Sequence, residues 1–560
     1  MPELMLTKVY FDAFPSQTVN GLNTFPGARR KLMDAFKKGL LFVNYTGHGN
    51  PSAWSDEQIL TVADIQRFDF PHCPLWITAT CDFSNFDSPL TSAGERAFLN
   101  EKSAAIALYT TTRVVIDIYN QNLNVAITES LFSKDKDEKL YRFGTVLKHA
   151  KNKMISISSD TINKLNFLLI GDPALRLNVP SHQAVINTIN DLSLGSSDTI
   201  RLKALEKVHV KGYIGTQGGA VNGDFNGSMA VTVFDSEQTM ETLESNIPSY
   251  LENKQPYSDY PGLIYAGNTK VENGYFDFTF TVPKDVSYGE GNGRINLYAY
   301  DEEKKLEAMG VDRSFKVVPG SPGGLAVDTT PPEIRKCFLN DSTATDYFLT
   351  GPTPFFFAEV YDDSGLNLSE SGLGHRITLC IDNQFDYTYS LNDYYEASAT
   401  EAGLGTIAYT IPEVTEGDHT ATLTVWDVYN NMSTKTIHFR VNKDLSAEAV
   451  VAAVYPNPVV RGKEVTFKVQ TNQPREEFVG YVELIDFTGR VVAKSDNISI
   501  KTELNIPQEI KWLPTTSYGT NPQSGLYLYR WVITRNNGRV SYATGKLVIV
   551  DEAALVEQKE

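Results

Sequence analysis

Two stretches decide the fold of the first third of this chain: LLFVNYTGHGN, Leu40–Asn50, and PLWITATCDF, Pro74–Phe83. Leu40–Tyr45 and Leu75–Thr80 are short apolar runs patterned like strands buried on both faces. Each is followed at once by a polar loop, the first carrying Gly47-His48-Gly49 and the second Cys81-Asp82. Working outward, Ala28–Lys38 has helical spacing, with Leu32, Ala35 and Phe36 on one face and Gly39 as its stop. The pattern predicts a short helix over Asp64–Phe68, a helix over Ser92–Asn100 and a third strand over Ser103–Tyr109. Helices follow over Tyr119–Phe132 and Arg142–Met154. Such alternation predicts parallel strands joined by right-handed crossovers.

In a parallel sheet both loops emerge at the carboxyl edge, where α/β proteins place their sites. Neighbouring strands lie roughly 4.8 Å apart. His48 and Cys81 can therefore meet although 33 positions separate them. The pairing has chemical sense. A free thiol, with a pKa of about 8.5, becomes a good nucleophile beside an imidazolium, which can later protonate a leaving amine. The amides of Gly49 and Cys81 are the candidate oxyanion hole. Patterning alone leaves the bland alternative open. A Gly-His-Gly loop is more often a tight turn, and a Cys ending a buried strand is more often a small hydrophobe.

The residues themselves carry a resemblance. VNYTGHGNPSAW followed by LWITATCDFSNFDSP resembles the catalytic core of the gingipain family of cysteine peptidases, whose fold is caspase-like. LLIGDPALRLNVP, Leu168–Pro180, resembles the segment that ends that family's peptidase domain. The resemblance covers residues 1–180. It implies that His48 is the general base and Cys81 the nucleophile of an acyl transfer through a thioester, with no cofactor required. It also implies an acidic residue that orients the imidazole, upstream of Met1, and hence an N-terminally incomplete α/β domain. Asp56, Asp82 and Asp87 lie near the site in sequence but read as loop or capping residues.

After Asn178 the pattern turns to short alternating segments separated by Gly, Asn, Asp and Pro, which predicts antiparallel β-sandwiches. Examples are Thr199–Leu202, Val208–Tyr213, Ala230–Phe234, Tyr275–Val282 and Ile295–Tyr300. The expected architecture is multidomain, α/β then all-β: a caspase/gingipain-like domain over 1–180, then Ig-like β-sandwich modules over 181–320 and 325–443. A further β-sandwich spans 449–552. PGSPGG at Pro319–Gly324 is the expected linker. AVYPNPVVRG, LIDFTGRVV, SGLYLYRWVI and GKLVIV, between Ala453 and Val550, resemble the C-terminal sorting domain of Bacteroidetes type IX secretion cargo.

Together, these resemblances imply a sortase of that secretion system, at the outer-membrane surface of a Gram-negative bacterium. Such an enzyme removes sorting domains from cargo and joins the new carboxyl end to a lipopolysaccharide amine. Its partners are cargo, lipopolysaccharide and outer-membrane components of the apparatus. The alternatives are a secreted protease that is itself cargo, and a surface adhesion protein whose peptidase fold has decayed.

Composition agrees with a multidomain globular protein of 560 residues, 41% hydrophobic and 21% charged. The net charge of −18 is uneven. Residues 1–180 hold 19 basic and 18 acidic side chains, so the acidity lies in the β modules. That argues against nucleic acid as a partner. No apolar run reaches the roughly 18 residues of a membrane-spanning helix, and Met1–Phe14 lacks a signal-peptide layout.

The four cysteines, Cys73, Cys81, Cys337 and Cys380, make neither a disulfide framework nor a zinc motif. Cys337 and Cys380 share one module, where they either pair or serve as small buried residues. Cys73 reads as structural and His72 as a surface loop residue. Gly289–Gly293 reads as a hairpin turn, and Lys134–Lys139 as a solvated loop. Asp362 and Asp363 offer carboxylates for a structural calcium, although such pairs more often begin a turn.

Overall fold

The computed structural model describes residues 1–551 except 20, 69, 71, 101–103, 195–198, 217, 247–252, 288, 290, 321–327, 341–346, 370–374, 385–386, 399–400, 443–448, 472–476, 502–507, 517 and 535–539. The expected linker at 319–324 falls largely outside the described residues, as does Glu290 of the Gly-rich turn.

The amino-terminal unit is built on four strands: β1 (Phe42–Thr46), β2 (Leu75–Ala79), β3 (Ala107–Thr111) and β4 (Phe167–Ile170), in that spatial order. β1, β2 and β3 run parallel, as expected. β4 runs antiparallel to β3, a strand the sequence reading missed by treating Leu168–Pro180 only as a terminal motif. The helices are α1 (Pro26–Lys38), α2 (Val62–Gln66), α3 (Ala93–Leu99), α4 (Asp117–Leu131), α5 (Phe143–Ile157) and α6 (Ile162–Asn166). Gly39 ends α1 with φ of 93°, a conformation that favours glycine.

Strand alternation sorts the core. Trp76 and Leu108 pack on one side of the sheet with Leu32 and Phe36 of α1, Ile65 of α2 and Ala97 of α3. Leu75, Ile77, Ala79, Ala107 and Tyr109 pack on the other with α4 and α5. Every residue of β2 and β3 is buried, which is why they read as continuous apolar runs.

β1 corrects the first expectation. It is an edge strand in which only Tyr45 is buried, so its apolar run does not mark burial on both faces. The third strand begins at Ala107, with Ala104 and Ala105 in the approach to it, and the expected start at Ser103 lies outside the described residues. The second helix starts earlier than Asp64. Thr61 caps it, and Asp64 closes a capping box back onto Thr61.

Asp64 also receives two hydrogen bonds from Arg29 of α1, one of them 2.8 Å long, and one of 2.7 Å from Thr61 Oγ1. Burial opposes ionisation of Asp64, but these bonds outweigh it and hold the carboxyl below its ordinary value. The stability from this group is therefore fully present above the unfolded value near pH 3.9 and lost as pH falls through the lower folded value. Thermal scans from about pH 5 to pH 2 are expected to show a shallower acid loss in Asp64→Asn than in the parent chain. Equal slopes would show that the pair contributes nothing to acid sensitivity.

Three β units follow, each with its own buried cluster. In the first, Leu192–Ser193, His182–Ile189, Lys207–Gly215, Tyr275–Thr281, Leu263–Glu272, Gly227–Phe234, Arg294–Asp301 and Leu306–Asp312 form one eight-stranded sheet. His182–Ile189 and Leu306–Asp312 also pair, in parallel, at His182↔Ala308 and Gln183↔Met309. The sheet thus closes on itself, which corrects the sandwich expected over 181–320. Closure satisfies two edges that a sandwich leaves open.

The next unit does have two facing sheets, of four and five strands, and the last has sheets of three and six. Cys337 and Cys380 sit on different sheets and are unpaired. Burial pushes the Cys337 thiol up to about 12.

The amino-terminal unit rests on the β units. Asp34 of α1 accepts a hydrogen bond from Tyr394, and Lys38 lies 5.7 Å from the centre of that ring. Arg294 donates to the carbonyls of Pro2 and Leu4, each at 2.9 Å.

Candidate active site

β1 and β2 pair in register with Thr46 opposite Ala79. His48 and Cys81 each lie two residues beyond that pair, so both leave the same carboxyl edge of adjacent parallel strands. The Gly47 amide donates to the Ala79 carbonyl at 3.3 Å, carrying the ladder one step further toward them. His48 is exposed and Cys81 is half-buried.

The backbone of His48 is held while its ring is left free. Its carbonyl accepts from the Ser55 amide at 2.8 Å and from the Tyr45 hydroxyl at 2.7 Å. Burial, together with Glu57 and Asp56, keeps the Tyr45 phenol protonated well above its usual range, so it remains a donor. No described side chain hydrogen-bonds the His48 ring. Asp87 pairs instead with Arg113 at 2.5 Å.

Tyr45 stacks on Trp54 at 4.5 Å with an interplanar angle of 9°. Trp54 in turn meets Trp76 at 5.3 Å and Phe83 at 5.8 Å. This aromatic floor joins the strand before His48, the hairpin after it and the loop after Cys81. Gly49 is required by proximity: a Cβ there would lie 2.4 Å from Thr80 Oγ1, one residue before the thiol.

Cys81 is presented by a sharp turn. Asp82 has φ of 54°, an uncommon conformation for a non-glycine residue. The Ser84 amide then donates to the Thr111 carbonyl at 2.9 Å. Thr111 Oγ1 donates to the Thr80 carbonyl, locking β3 to the end of β2.

The thiol faces the Val115 carbonyl at 3.8 Å. That loop is clamped by α6. Asn163 receives the Ile116 amide and donates to the Ile116 carbonyl, both at 2.9 Å, and is itself 1% exposed. Asn166 donates to the Val114 carbonyl at 3.0 Å. Sequence reasoning missed Asn163 and Asn166, since an asparagine in a short helix carries no signal of what it grips.

Cys73, read as structural, is exposed. Among the described residues the only carboxylate group close enough to share a metal ion lies away from this edge, at Asp328, Asp362 and Asp427. No described helix is long and apolar enough to cross a membrane.

Residues 1–178 match the family model described as peptidase family C25. Among solved structures the chain is similar to dimeric latent PorU from Porphyromonas gingivalis, with 38% identity and a TM-score of 0.33, covering 92% of this chain and 46% of that one. It is also similar to a complex of the Porphyromonas gingivalis RgpB pro- and mature domains, with 16% identity and a TM-score of 0.25 over 52% and 57% of the two chains. Against the Arg-specific cysteine proteinase gingipain R the values are 16% and 0.26 over 52% and 56%. The chain spans less than half the length of the first of these. No curated protein matches it significantly.

Proposed function

We propose that this chain, whose residues 1–178 match the model of peptidase family C25, acts on proteins as the endopeptidase and transpeptidase of a type IX secretion system. Cys81 is the nucleophile and His48 its base. The Cys81 sulfur attacks the scissile carbonyl, and the amides of Gly49 and Cys81 receive the oxyanion. The C–N bond breaks as His48 passes its proton to the leaving amine, which leaves a thioester. Water or a second amine then attacks the thioester, and the thiol is restored. The chemistry requires no cofactor.

The observation that carries this reading is the register. Thr46 opposite Ala79 sends the His48 and Cys81 loops out of one edge, and the turn at Asp82 follows directly on the half-buried Cys81. In this reading the substrates are cargo proteins bearing C-terminal sorting domains, and the acceptor is a lipopolysaccharide amine. The enzyme works at the outer-membrane surface beside other type IX components. In this reading the unit over 325–443 is an Ig-like spacer and that over 449–552 a sorting-like domain.

The test is Cys81→Ala in the intact secreting cell. Cargo is expected to keep its sorting domain, visible as a mass increase of that domain on every cargo protein. Cargo of normal mature mass in the Cys81→Ala strain would end the proposal. Mature cargo lacking lipopolysaccharide in a strain with active enzyme would leave the peptidase and remove the transpeptidase.

A further inference from the structure

Asn120 lies on the sheet face of α4, with Leu123, Asn124, Ile127 and Leu131, and is 4% exposed. Its Oδ1 is buried and accepts no hydrogen bond from any described residue. A buried acceptor without a donor calls for a partner. The register of α4 on the sheet indicates which partner is at hand.

α4 runs antiparallel to β1. The Asn44 side chain donates to Asn124 Oδ1 at 3.0 Å and to Thr128 Oγ1 at 3.3 Å, whereas Thr46 Oγ1 accepts from Asn124 Nδ2 at 2.6 Å. A step forward along the strand is thus a step back toward the start of the helix. Two strand residues advance about 6.8 Å and four helix residues about 6 Å. His48, two beyond Thr46, therefore comes level with Asn120, four before Asn124. The Gly47 amide carries the ladder on past Thr46, so the alternation that turns Asn44 and Thr46 toward α4 extends to position 48.

Cys81 reaches the same place from β2. Leu75, Ile77 and Ala79 share one buried cluster with Leu123, Ala126 and Ile127 of α4, and Cys81 is the next residue of that alternation. Its sulfur lies 3.8 Å from the Val115 carbonyl, and the Asn120 amide donates to the Ile116 carbonyl at 2.9 Å. Asn120 is bracketed by the loop that touches the thiol and by the turn that grips Thr46.

The chemistry of the pair leaves a proton to be held. When one nitrogen of an imidazolium faces a thiolate, the other N–H needs an acceptor, and that bond fixes the ring's orientation. We infer that Asn120 is a positioning residue: its Oδ1 accepts a hydrogen bond from the His48 ring and keeps the imidazole turned toward Cys81. The inference rests on the roles proposed above for His48 and Cys81. The resemblance assigns this task to an acidic residue upstream of Met1; Asn120 is the acceptor that the described residues themselves supply, and it adds no charge.

The charged groups on the flanking elements are Asp56 and Glu57 after the hairpin, Asp82 beside Cys81, the Asp87–Arg113 pair and Asp117 in the first turn of α4. All are retained in the variants below, so a difference between profiles reports on Asn120.

The test is the rate of Cys81 alkylation by a neutral haloacetamide against pH in the full chain, with Cys73 as the internal reference. Asn120→Leu keeps the bulk and removes the acceptor. The midpoint of its Cys81 profile is expected to rise by about one pH unit, which is about tenfold slower labelling below that midpoint, with Cys73 unmoved. Asn120→Ser, which shortens the side chain without adding an apolar end, is expected to shift the same way and guards against a folding defect in the leucine variant. Asn120→Asp restores the acceptor and is expected to return the midpoint to the parent value or below it. Parent-like profiles in both Asn120→Leu and Asn120→Ser would overturn the inference and leave His48 and Cys81 their roles. An Asn120→Asp chain that folds like the parent but keeps the raised midpoint would reduce Asn120 to a packing residue and overturn it too. A parent chain in which Cys81 labels no faster than Cys73 at any pH would remove the proposed pair and this inference together.

Discussion

The His48→Ala variant is expected to lose the enhanced reactivity of Cys81 and to leave that of Cys73 unchanged. The two thiols make an internal comparison, because Cys73 is exposed at the amino-terminal approach to β2 whereas Cys81 lies at its carboxyl end beside the imidazole loop. An adjacent imidazolium favours the thiolate, and a positioned base contributes about 10²–10⁴-fold to a transfer step. Alkylation by a neutral haloacetamide, mapped by mass spectrometry, is therefore expected to favour Cys81 over Cys73 in the parent chain. In His48→Ala that preference should fall to that of an ordinary half-buried thiol. The backbone there is held by Ser55 and Tyr45 through the His48 carbonyl, so alanine leaves the loop in place. If Cys81 reacts no faster than Cys73 in the parent chain, the pair is not a catalytic one.

The second large effect is structural. Trp54→Ala is expected to destabilise the amino-terminal unit by about 3–5 kcal/mol, the range for deleting a buried Trp. Trp54 is 1% exposed and contacts Tyr45, Trp76 and Phe83 at once. Its loss leaves a cavity beneath Gly49, which pairs with it across the hairpin. Tyr45 then loses its stacking partner and with it the fixed donor to the His48 carbonyl. Urea unfolding of the unit measures the loss. Trp54→Phe should recover much of it, since a smaller ring still fills part of the floor. A cost below about 1 kcal/mol would show that the floor can collapse around the gap.

Much of this was legible in one dimension. The runs at Leu40–Tyr45 and Leu75–Thr80 announced two strands because a chain that buries a sheet must spend apolar residues consecutively. The loops after them announced the edge to search. Helix α1 was readable to within two residues of its start, since its apolar face and Gly39 are local signals.

The misreadings share a cause. β1 is apolar but lies at an edge, and sequence cannot say whether a neighbour is present. β4 was hidden because antiparallel return after three helices depends on where α4, α5 and α6 pack. The closure of the first β unit rests on two residue pairs between strands more than a hundred positions apart, which no local pattern encodes.

The sequence by itself determined the chemistry on offer: one imidazole and one thiol, each placed just after an apolar run, because residue identity and short-range patterning are properties of the chain. Only the tertiary structure decided that both loops leave one edge of the sheet, through the register of Thr46 with Ala79. Only it, too, gathered Asp328, Asp362 and Asp427 into one cluster. Register and long-range approach are set by packing summed over whole sheets, and that sum exists only once the chain has folded.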